Sequence, residues 1–92
     1  MENRHINELY DQISKVIKND QKYPYKKMGE LIVASANRFK NIEYYYAKYP
    51  PLLDVVELSA SLEYEGSAHH DEMVRQIKYK MNELMNLLPD TY

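Results

Sequence analysis

The chain has 92 residues, 45% of them hydrophobic and 28% charged, with a formal net charge of −2 and no cysteine. That length suits one small domain over residues 1–92, burying roughly 60–65% of its unfolded surface. The composition excludes disulfides, thiolate metal sites and thiol nucleophiles. No apolar run approaches the ~20 residues that span a bilayer. The opening Met1-Glu2-Asn3-Arg4-His5 is polar and lacks the h-region of a secretory signal, so a cytosolic location is expected.

Four amphipathic segments are predicted. In the first, about Asn3 to Asn19, Ile6, Leu9, Ile13, Val16 and Ile17 fall three and four apart, one apolar stripe of a helix. Tyr23-Pro24 ends it, because a residue before proline avoids helical dihedrals. The second begins after Pro24, with Met28, Leu31, Ile32, Ser35, Phe39, Ile42 and Tyr46 on one face over five turns. Gly29 near its start costs about 1 kcal/mol relative to alanine. Tyr49-Pro50-Pro51 stops it.

Pro51 suits the first position of a third helix, where its missing N–H is not needed. Leu52, Val55, Val56, Ser59, Ala60, Leu62 and Glu63 follow, with Gly66 as the C-terminal cap. Its small residues Ser59, Ala60 and Ser61 would permit close helix approach. Ser67 is the expected N-cap of the fourth helix, and Asp71 and Glu72 complement its dipole. Met73, Val74, Ile77, Met81, Leu84, Met85 and Leu88 form its stripe; Pro89 ends it before the tail Asp90-Thr91-Tyr92. No segment alternates with period two for long. Short loops make these helices antiparallel neighbours, so the expected fold is all-α, an antiparallel four-helix bundle.

Charge is distributed unevenly. From Lys15 to Lys48 there are eight basic residues against three acidic ones; from Tyr49 to Glu72 there are six acidic residues and no basic one. These halves could face each other or present opposite faces to partners. The basic stretch is too dilute to argue nucleic-acid binding.

Chemistry-bearing patterns are sparse. His5 with Glu8 and His69 with Glu72 give His-x-x-Glu pairs, the reverse of the Glu-x-x-His order in di-iron bundles. Both lie near helix starts, so no metal site is expected. One Asp54-x-x-Glu57 pair cannot build the carboxylate set of an all-α pyrophosphohydrolase. No serine has an evident base or oxyanion turn, and Gly29 and Gly66 are too far apart to cradle a phosphate. The expectation is a non-enzyme with no cofactor and no small-molecule substrate.

Tyrosine is the unusual residue: ten, beside one phenylalanine and no tryptophan. Its large ring and polar tip favour interfaces, yet also suit the ends of a small core. On the drawn stripe Tyr46 points inward, Tyr44 lies opposite and Tyr45 to one side. Tyr79, about 200° from Ile77 at 100° per residue, should be exposed. For Tyr44 and Tyr79 both roles stay open. The five methionines, Met73, Met81 and Met85 among them, read as core fillers.

Three stretches carry a family resemblance: Glu8-Leu9-Tyr10 followed by Ile13-Ser14; the opening Pro51-Leu52-Leu53; and Glu65-Gly66-Ser67 ahead of Glu72-Met73-Val74-Arg75-Gln76-Ile77. With the overall layout, they resemble the immunity proteins of class IIa (pediocin-like) bacteriocins, particularly the enterocin A immunity type. The resemblance implies an antiparallel four-helix bundle in the cytoplasm of the producing cell, or peripheral to the inner face of its membrane. It implies a protein partner, the membrane-embedded mannose-type phosphotransferase permease engaged by bacteriocin, held from its cytoplasmic side. Specificity would lie in Pro51 to Tyr92. The chain departs from the family in its short tail after Leu88 and its mildly acidic charge. On this reading the contact residues are Glu57, Glu63, Glu65, Tyr79 and Tyr92. The alternative is a small helical interaction or inhibitor protein of a phage or mobile element.

Overall fold

In the computed structural model, residues 2–19, 23–64 and 70–88 are described, the side chains of 2–5 and 64 excepted. They form five helices and, among the described residues, no strand: α1 (Glu2–Lys18), α2 (Tyr25–Asn37), α3 (Ile42–Lys48), α4 (Pro50–Tyr64) and α5 (His70–Leu87). The all-α expectation holds. The four-helix count does not, because the expected second helix is two.

In α1 the predicted stripe is the buried one: Ile6, Leu9, Ile13 and Ile17 are buried and Val16 is half-buried. Lys15 and Lys18 occupy its last turn, where the dipole favours cations. The Asn19 side-chain amide closes the end by donating to the Lys15 carbonyl at 2.8 Å.

Pro24, extended at φ −59° and ψ 152°, precedes α2, and its carbonyl accepts from the Met28 amide at 3.0 Å. Met28, Gly29, Ile32 and Ala36 are the buried residues of α2. The helix then breaks over residues 38–41. Asn41 sits in the left-handed region (φ 62°, ψ 33°), the single such non-glycine residue among those described. Asparagine tolerates this conformation better than residues other than glycine. Its carbonyl then accepts from the Tyr44 amide at 3.0 Å and starts α3.

The break resets the helical phase. Tyr45, expected to one side, is buried; Tyr46, expected inward, is only half-buried; Tyr44 is exposed as predicted. An apolar spacing that ran on through Phe39, Ile42 and Tyr46 concealed the interruption.

Tyr49 couples α3 to α4: its amide donates to the Tyr45 carbonyl at 2.8 Å, and its carbonyl accepts from the Leu52 amide at 2.9 Å. Pro50 and Pro51 open α4, one residue earlier than predicted. Leu52, Val55, Ser59 and Leu62 form its buried side. The Ser59 hydroxyl is satisfied inside the helix, donating to the Val55 carbonyl at 2.7 Å.

Val74, Ile77, Met81 and Leu84 are buried in α5. Met85, placed in the stripe from sequence, is instead exposed, because the packed face of α5 is narrower than the apolar spacing suggested. Asp71 and Glu72 occupy the first turn as predicted. The expected caps Gly66 and Ser67 lie outside the described residues.

The helices pack in a ring: α1 on α2, α2 on α4, α4 on α5, and α5 back on α1, with α3 set against α4. Extents of 39 × 21 × 20 Å leave a cross-section about two helix diameters wide each way. Among the described residues no helix is long and apolar enough to cross a membrane.

Candidate interaction surface

The backbone of α4 has two working flanks. One meets α2 at Gly29, and the other faces α5 across an open groove of about 380 Å³ lined by Asp54, Glu57, Leu58, Ser61, Gln76 and Lys80. Lys80 reaches over from α5 and lies 3.4 Å from the Asp54 carboxylate and 3.2 Å from that of Glu83. Hydrogen bonding to Glu83 first, then to Asp54, holds its ammonium above the usual lysine range. One cation thus bridges two carboxylates at the side of the groove.

Glu57 stands on the same groove, exposed. Tyr79 is 61% exposed on the solvent side of α5, as predicted. At three and four residues' distance it borders Gln76 and Glu83, which flank the groove. Glu57 and Tyr79 therefore belong to neighbouring parts of one outer surface.

Glu63 does not. At ~100° per residue, six positions place it on the α2 flank rather than beside Glu57, and it is half-buried near Gly29. Glu65 and Tyr92 lie outside the described residues. Sequence reasoning missed Asp54, Ser61, Gln76 and Lys80 as parts of the groove. The three- and four-residue spacing of Asp54, Glu57, Leu58 and Ser61 was the available signal.

The tyrosines fall into separate groups. At the starts of α2 and α5, the Tyr25 hydroxyl donates to Asp71, and the Tyr25 ring meets His70 edge-on at 4.9 Å. At the other end, Tyr45 meets Phe39 and Tyr44 edge-on and stacks parallel to Tyr49 at 6.5 Å. Burial raises the Tyr46 phenol above its ordinary range.

Among the described residues no group of three or more His, Cys, Asp or Glu side chains could hold a metal ion. His69 lies outside those residues, and the His5 side chain is not among those described. The groove lining carries two carboxylates, Asp54 and Glu57, one ammonium, Lys80, and one hydroxyl, Ser61.

Comparison with protein-family models, curated proteins and solved structures finds no match for this chain.

Proposed function

We propose that the chain is a bacteriocin immunity protein that acts by stoichiometric binding, without catalysis, to a bacteriocin-engaged mannose-type permease. In this reading α2 and α3 together are one bent limb, and the body is an antiparallel bundle of four limbs. The observation that carries the proposal is the α4–α5 groove bearing Glu57, with Tyr79 beside it, inside the half of the chain to which the resemblance assigns specificity.

The resemblance and the groove divide the labour. Leu9, Ile13, Leu52, Val74 and Ile77, which help carry the resemblance, are buried. They fix how the helices pack, while partner choice falls to the polar residues left outside. Glu57, Tyr79 and the groove supply a carboxylate for a polar rim, an amphipathic ring of the type enriched at protein interfaces, and an apolar lining residue in Leu58.

Expression in a bacteriocin-sensitive strain tests this reading. Tolerance should rise toward at least one pediocin-like peptide in a broad panel. No protection against any member would overturn it.

A further inference from the structure

Of the five large apolar side chains that stand exposed among the described residues, four lie at one end of the molecule: Tyr44 at 50%, Leu53 at 37%, Met85 at 50% and Leu87 at 52%. This is the end where α2 finishes, α3 lies and α4 begins. The Lys80–Asp54 contact at 3.4 Å brings the Lys80 turn of α5 within a side chain's reach of the Asp54 turn of α4. At a rise of 1.5 Å per residue, Leu87 lies roughly 10 Å beyond Lys80, toward the end where α4 begins.

The segment from residue 38 to 49, which includes α3, opposes the charge of the whole chain. Between residues 38 and 49, Arg38, Lys40 and Lys48 are exposed cations and Glu43 is the single acid, on a chain of net charge −2. Of the acids next in line, Asp54 and Glu83, Lys80 offsets one, so together they reduce that positive excess by a single charge. The Lys48 ammonium lies 5.7 Å from the ring centres of both exposed Tyr44 and buried Tyr49.

We infer that this end is a docking patch for an anionic lipid surface. Leucine and methionine side chains scattered over separate helices suit shallow insertion better than a groove for one partner helix. Tyrosine rings sit at headgroup level with the hydroxyl wet and the ring in the acyl boundary. Lysine and arginine bury their stems and keep their charges among the phosphates. The patch is distinct from the α4–α5 groove and does not depend on the immunity reading.

The chain contains no tryptophan, so Leu87→Trp places a single tryptophan, excited beyond the tyrosine band, in the patch and Tyr79→Trp a control on the outer side of α5. Vesicles of phosphatidylglycerol and phosphatidylcholine at low salt should shift the Leu87→Trp emission to shorter wavelength and leave Tyr79→Trp unchanged. Pure phosphatidylcholine should bind far more weakly. The R38Q/K40Q pair should weaken vesicle binding by more than tenfold, from roughly fivefold per cation lost, with circular dichroism unchanged. Four results would overturn the inference: no shift with anionic vesicles, equal affinity for neutral ones, an equal shift at Tyr79→Trp, or a shift that grows with protein concentration in the absence of lipid.

Discussion

Gly29 of α2 lies directly against the backbone of α4 at Ser59. A Cβ placed on Gly29 would stand 2.4 Å from the Ser59 carbonyl oxygen, and 2.9 Å from the Glu63 amide nitrogen. Both obstacles are backbone, which cannot swing aside as a long side chain can.

Gly29→Ala is therefore predicted to destabilise the protein, although alanine is the better helix former by about 1 kcal/mol. The two helices would have to separate, at an overpacking cost of about 1–3 kcal/mol. In a domain of this size a net loss of 1 kcal/mol lowers the thermal midpoint by about 4–8 °C. Ser59→Ala keeps the small volume and should cost less than about 1 kcal/mol, since the hydroxyl bonds only within its own helix. Urea denaturation of both variants checks the order. A Gly29→Ala protein as stable as wild type would contradict the close packing.

Asn41 gives a second test. Its left-handed backbone is a conformation that glycine adopts freely and alanine disfavours by about 1–2 kcal/mol. Asn41→Gly should hold the thermal midpoint within a few degrees, whereas Asn41→Ala should lower it clearly. A higher midpoint for Asn41→Ala than for Asn41→Gly would mean that α2 and α3 form one continuous helix in solution, where alanine is favoured by about 1 kcal/mol.

The Tyr46 phenol is raised above its ordinary pKa of 10.0 by burial, so the folded state favours the neutral form. The sign follows from linkage: above about pH 10 the unfolded chain loses this proton first. The stabilisation is complete below that pH and disappears as pH rises through the folded-state value. Denaturant midpoints from pH 8 to 11.5 should therefore fall at the alkaline end, and Tyr46→Phe should shallow that fall. An unchanged alkaline limb would show that Tyr46 is solvated in both states.

How much of this was written in the sequence depends on what kind of signal each residue gives. Buried stripes in α1 and α5 were legible because Ile6, Leu9, Ile13 and Ile17, and likewise Val74, Ile77, Met81 and Leu84, repeat at helical spacing. Small residues in α4 rightly suggested close approach, but Gly29 was read as a local cost rather than as the other half of that contact. The break at Asn41 was not legible: no proline or glycine stands there, and apolar residues keep the helical period across it. That one dihedral placed Tyr45, rather than Tyr46, in the core.

The groove was half legible. Glu57 and Tyr79 came from charge and helical phase, which act within one helix. Lys80, Gln76 and the exclusion of Glu63 depend on which helix lies next to which, and periodicity within a segment carries no such information. Docking α4 on α2 through Gly29 turns the Glu63 flank inward and leaves the Glu57 flank to face α5.

Survival of bacteriocin-sensitive cells expressing wild type, Glu57→Lys or Tyr79→Ala, scored across a panel of pediocin-like peptides, tests the proposed role most directly. Wild type should protect against at least one peptide, and each variant should lose at least tenfold of that tolerance while keeping its thermal midpoint. Protection that survives both substitutions would remove the groove from the account, and a panel with no protection at all would remove the immunity role itself.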